Sequence, residues 1–166
     1  MTVTSVEKDL ESLTMTLTCE YDASADEVWQ LWADPRKLER WWGPPTYPAT
    51  VVDHDLVEGG RVTYYMTGPT GHQPHGWWLV TAVEAPRRLE FTDGFADAEG
   101  NHLDSMPSNR TVVTIDERPS GGTIMTIVAE FPSTEDMEKL LEMGMQQGFT
   151  EALGQTDAVL ASISAT

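Results

Sequence analysis

The stretch SADEVWQLWADPRKLERWWGP, residues 24–44, decides how the rest of the chain is read. It opens on a capping box, in which the Ser24 hydroxyl can accept from the Glu27 amide while the Glu27 carboxylate reaches back. Val28, Leu31 and Trp32 follow at i, i+3 and i+4, a helical stripe that needs a core. Asp34-Pro35 ends this helix and starts a second, with Asp34 as N-cap and Pro35 in the first helical position. Leu38, Trp41 and Trp42 give the second helix its apolar side, and Gly43-Pro44 stops it. Two adjacent indoles on a helix cannot point the same way. One can pack inward while the other faces a neighbour, a cavity or water, so large aromatic surface is placed at a fixed chain reversal. Of the two, Trp42 is the one expected to touch a ligand.

Before this segment, residues 14–20 alternate strictly, with Met15, Leu17 and Cys19 on one face and threonines on the other, which predicts a half-buried strand. Residues 1–12 read as a polar lead-in. After the segment, short alternating runs predict strands over residues 50–54, 61–67, 76–83, 88–93, 110–117 and 123–131, punctuated by Gly59-Gly60, Gly68 to Gly71 and Ser120-Gly-Gly122. Within the third of these runs, Trp77 and Trp78 put one indole on each sheet face. Residues 94–109 form a long irregular stretch of the kind that serves as a lid or binding loop. The chain then predicts one long amphipathic helix over about residues 134–163, capped by Ser133 or Thr134. No helix of similar length is available to cover it, so it must lie across a sheet. The order is one strand, two short helices, six strands and a long helix. The fold class is therefore α+β: a seven-stranded antiparallel sheet wrapped around a C-terminal helix, as a single domain over residues 13–166.

Hydrophobic residues make up 40% of the 166, which supports a sizeable core rather than disorder. The net charge of −17 repels nucleic acid. Cys19 is the single cysteine, so no intrachain disulfide can form, and a buried inert thiol is expected there. No apolar run approaches the ~20 residues that span a bilayer, and no leader pattern is visible, so a cytoplasmic protein is expected. His54, His72, His75 and His102 lack the spacing of a zinc motif, and the neighbours Asp53, His54 and Asp55 would alternate across a strand; no metal or cofactor is expected. No nucleophile elbow, phosphate loop or dinucleotide fingerprint occurs. Gly144 and Gly148 share one face of the final helix, where each costs about 1 kcal/mol against alanine. Either something packs closely against them or they form a cavity wall.

The pattern Ala25-x-x-Val-Trp-x-Leu-Trp-x-Asp-Pro-x-Lys-Leu-x-Arg-Trp-Trp-Gly-Pro44, then Asp55-Leu-x-x-Gly-Gly60, Gly76 and Gly144-Met-x-x-Gly148, resembles the bacterial family related to the C-terminal domain of the activator of the Hsp90 ATPase. That family belongs to the START-like, or Bet v 1-like, helix-grip superfamily. The resemblance covers about residues 13–163. It implies the same seven-stranded sheet gripping the last helix, with a hydrophobic cavity between them. Superfamily members bind lipids, polyketides, hormones or other small apolar molecules, and a few are cyclases or hydrolases.

The leading expectation is thus a binding protein for a small apolar or aromatic molecule, lipid- or polyketide-like. The candidate lining is Trp42, Tyr64, Met66, Trp78, Phe91, Met145 and Phe149, with inward direction taken from alternation. A cyclase or hydrolase would need a polar group inside, for which His75, Glu90 and Asp93 are the options. A chaperone-associated module is the third reading, and a homodimer is left open.

Overall fold

The structure, a computed structural model, describes residues 3–164. Its elements are β1 (Val3–Asp9), β2 (Thr14–Tyr21), α1 (Ala25–Ala33), α2 (Pro35–Trp41), β3 (Ala49–His54), β4 (Arg61–Met66), β5 (His75–Glu84), β6 (Arg88–Ala96), β7 (Asn109–Glu117), β8 (Thr123–Glu130), α3 (Thr134–Glu142), α4 (Met145–Leu153) and α5 (Thr156–Ser164). The strands form one antiparallel sheet in the order β1-β2-β8-β7-β6-β5-β4-β3. β3 to β8 is a continuous meander, and β2 closes on β8, with Thr14 opposite Glu130 and Tyr21 opposite Thr123. This is the helix-grip arrangement.

The sheet has eight strands rather than seven. The extra one, β1, lies within the expected polar lead-in and pairs with β2 from Val3 opposite Cys19 to Asp9 opposite Thr14. Only Val3 and Val6 of β1 are even half-buried. An edge strand of this kind is held by its backbone ladder, so its side chains carry little alternation. The long irregular stretch over residues 94–109 is also shorter than expected. β6 continues to Ala96, which bridges to His102, and His102 stacks on Trp77 at 3.9 Å.

The helices between β2 and β3 form as their caps dictate. Glu27 N donates to Ser24 Oγ at 3.2 Å, and Arg36 N donates to Asp34 Oδ1 at 2.9 Å. Val28, Leu31 and Trp32 of α1 and Leu38 and Trp41 of α2 are buried with Met15, Leu17 and Cys19 of β2 and with Ile115, Met125 and Ile127 of β7 and β8. Trp32 lies edge-on to Trp41 at 4.8 Å, and the Trp41 indole donates to the Leu31 carbonyl at 2.9 Å. The corner after α2 is tied to the C-terminal segment, where Gln155 Nε2 donates to the Gly43 carbonyl at 2.7 Å. Tyr21 Oη and Thr156 Oγ1, 2.9 Å apart, join β2 to α5.

The C-terminal helical segment is divided rather than continuous. Gly144 has φ +88° and ψ +21°, the left-handed region, which closes α3 and starts α4; a second break separates α4 from α5 at Gly154-Gln155. The Gly144 amide donates back to Leu141 O at 3.0 Å, and its own carbonyl accepts from Gly148 N at 2.8 Å. Left-handed backbone costs a Cβ-bearing residue about 1–2 kcal/mol. Gly144→Ala is therefore expected to lower unfolding free energy by about that amount in a urea titration, although no atom stands in the way of the added methyl group.

Candidate functional site

A cavity of about 270 Å³ opens between the inner face of the sheet and the α3–α4 segment. The sheet supplies Tyr64 and Met66 from β4, Asp93, Gly94 and Phe95 from β6, and Asn109 from β7. Trp42 and Pro44 close it from the corner after α2, and Pro107 from the loop before β7. Leu140, Met143, Gly144, Met145, Gly148 and Phe149 form the helical wall. Met143 is 52% exposed, so the wall reaches the surface at the helix break.

Five of the seven expected lining residues, Trp42, Tyr64, Met66, Met145 and Phe149, stand at this cavity. Trp78 and Phe91 do not. They stack on each other at 3.9 Å, fully buried, with the Trp42 ring 4.8 Å from Trp78. Alternation assigns both to the inner face correctly but carries no information on depth, and Trp42 lies between them and the void. Trp42 in turn meets Tyr64 edge-on at 5.9 Å and Phe149 at 5.5 Å. Trp41 is spent on the core. The glycine pair divides: Gly144 serves the left-handed turn, while Gly148 lines the cavity with nothing within 4 Å of an added Cβ. Sequence reasoning missed Pro44, Pro107 and Met143, because loop and helix-end residues carry no periodic signal, and it missed Phe95, Asn109 and Leu140, whose elements are regular but whose nearness to the void depends on tertiary packing.

Of the polar candidates, Asp93 alone enters the cavity. Glu90 points away and pairs with Arg88 and Arg110. His75 lies against Tyr65, 5.3 Å between rings, beside a separate open groove. Asp93 Oδ1 accepts from Thr111 Oγ1 at 3.3 Å, and Thr111 Oγ1 accepts from Asn109 Nδ2 at 3.2 Å. Burial pushes the Asp93 carboxyl up to about 7, against which the Thr111 bond acts only weakly. Burial likewise raises the Tyr64 phenol, and the Asp93 charge adds to it. Trp42 and Trp78 each bury an indole N–H without an acceptor, and only the Trp42 ring reaches the cavity. The Trp42 N–H lies near the Tyr64 hydroxyl but outside hydrogen-bond geometry. Among the described residues no group of three or more His, Cys, Asp and Glu side chains is arranged to hold a metal ion; His54 is engaged with the Trp32 carbonyl at 2.9 Å.

The raised Asp93 value makes stability depend on pH. Between about pH 4 and pH 7 the folded chain keeps a proton that the unfolded chain has lost, so folding free energy is lost as pH rises through this window. Asp93→Asn has no such proton. The variant is expected to match the wild type near pH 4 and to exceed it by up to a few kcal/mol near pH 8, measured by urea unfolding at both values.

A sheet gripping terminal helices around a largely apolar void defines a helix-grip domain. Residues 22–161 match the family model described as activator of Hsp90 ATPase homolog 1-like protein, and the chain belongs to that family. Protein Ms6760 from Mycobacterium smegmatis shares 48% identity over 95% of this chain and 96% of its own, with a TM-score of 0.88. A protein from Arthrobacter aurescens shares 48% over 97% and 93%, with a TM-score of 0.92. DynU16, from the dynemicin biosynthetic locus, is 19% identical over 85% of this chain and 45% of its own, with a TM-score of 0.61, a likeness of fold alone. The comparison with curated proteins gave no match. No helix among the described residues is long and apolar enough to cross a membrane.

Proposed function

We propose that the chain binds a small apolar or aromatic molecule, lipid- or polyketide-like, in the cavity between the sheet and the α3–α4 wall. The observation that carries this reading is the bare helical wall. Gly148 meets no atom where a side chain would stand, so its cost in helix stability, about 1 kcal/mol, is not offset by close packing. What it provides is space. A cavity of about 150 Å³ lined by apolar side chains accommodates benzene, and this one, at about 270 Å³ and open to the surface at the helix break, suits a ligand of two or three rings. Its methionines and aromatic rings give adaptable walls.

The neutral fluorophore N-phenyl-1-naphthylamine tests the reading. Saturable enhancement of its fluorescence, at one site per chain and in competition with two-ring aromatics, is expected. Failure of both the fluorophore and the competitors to bind removes the proposal.

A further inference from the structure

The polar groups of the cavity are not scattered. On the inner face, Tyr64 of β4, Gly76 of β5 and Phe95 of β6 are consecutive register partners, and Asp93 of β6 is opposite Asn109 of β7. Gly76 has no side chain, and the Tyr64 phenol lies across it; a Cβ at Gly76 would collide with the ring. That absence lets a tyrosine on β4 extend over β5 toward β6, where the Asp93 charge acts on its hydroxyl. Thr111, itself held by Asn109, donates to Asp93 from the other side, and among the described residues no other side chain hydrogen-bonds the carboxyl group. The Trp42 ring lines the same void, with its N–H buried close to the Tyr64 hydroxyl rather than open to the cavity. Tyr64, Asp93 and Asn109 therefore bring polar groups together in an otherwise apolar cavity.

We propose that this row takes a neutral ligand through an acceptor oxygen, of the ketone or aldehyde class, and that Tyr64 and Asp93 are the groups that donate to that oxygen. The assignment rests on the cavity-binding reading above and narrows it. The Tyr64 hydroxyl and a protonated carboxyl can both donate to the lone pairs of one oxygen. Of the lining residues only Tyr64 and Asp93 titrate. β7 contributes Asn109, the corner after α2 Trp42 and Pro44, and the helical wall only apolar residues and glycine, so no Lys, Arg or His is present to receive a carboxylate. Fatty-acid-like anions are disfavoured on this ground, and the raised carboxyl keeps its proton at mildly acidic pH.

Three probes of one skeleton decide it: 2-acetonaphthone, 2-ethylnaphthalene, which lacks the oxygen, and 2-naphthoate. Dissociation constants are read from tryptophan quenching at about pH 5.5 and about pH 8.5, either side of the Asp93 titration. At the lower pH the ketone is expected to bind about tenfold more tightly than the hydrocarbon, and this advantage shrinks severalfold at the higher pH. Asp93→Asn, which retains a donor but no titration, should keep the advantage at both pH values. Asp93→Leu should lose most of it; should that variant not fold, the pH profile of the Asn variant against the wild type still decides. Equal binding of ketone and hydrocarbon, or an advantage that ignores pH in the wild type, overturns the assignment and leaves cavity binding standing. Naphthoate binding as tightly as the ketone overturns the neutral-ligand class. Binding of none of the three overturns the cavity reading itself.

Discussion

Gly148→Phe should abolish binding of N-phenyl-1-naphthylamine while leaving the protein folded. A Cβ at residue 148 enters open space, so the ring has room to form, and the cavity that residue 148 lines lies beside it. A phenyl group takes up much of a void of about 270 Å³ and covers the Trp42 face that a ligand would stack against. A loss of about a hundredfold or more in affinity, about 3 kcal/mol, is expected. The matched control is Gly148→Ala. It should retain binding, since one methyl group takes little of the space, and it should gain about 1 kcal/mol in urea unfolding because alanine is the better helix former. Loss of binding with a gain of stability along this pair separates a ligand wall from a packing site.

Trp41→Ala is the substitution expected to cost most in folding. The side chain is fully buried, lies 4.8 Å from Trp32 and 5.6 Å from Trp42, and donates to Leu31 O. Truncating a buried tryptophan costs about 3–5 kcal/mol, and leaving the Leu31 carbonyl unpaired adds about 1 kcal/mol or more. That is a large share of the roughly 5–15 kcal/mol that holds a domain together. Chemical denaturation followed by circular dichroism should find the variant largely unfolded or shifted to much lower urea. Trp41→Phe should keep the fold with a smaller loss and should leave probe binding nearly unchanged, because residue 41 does not reach the cavity.

The neighbouring indoles thus divide between folding and site, and how far a sequence shows this depends on the kind of information each needs. The two short helices were legible because their caps are local: Ser24, Glu27 and Asp34 act on amides within three residues. β2 was legible because one of its faces is wholly buried, so its chemistry alternates. β1 was not, since an edge strand with mostly exposed side chains carries its instructions in backbone pairing. The break at Gly144 was also hidden. A glycine in a helical pattern announces a cost, but whether that cost accompanies a left-handed turn, close packing or a cavity depends on atoms far away in sequence. The cavity itself was half legible. Inward direction followed from alternation for Tyr64 and Met66, and for Trp78 and Phe91 too, yet only tertiary packing puts the Trp42 ring over the latter pair. Asp93 was one of three carboxylate or imidazole options, and it stands apart because Glu90 has arginines on the outer face and Asp93 has none.

The central claim is that the void is kept for a ligand. Native mass spectrometry of freshly purified protein, wild type beside Gly148→Phe, tests it most directly. The account predicts a non-covalent adduct of a small apolar molecule on the wild type, lost on denaturation and missing from the Phe variant. An adduct of equal abundance on both proteins, or a wild type that carries none and takes up no two-ring aromatic when one is supplied, would contradict it.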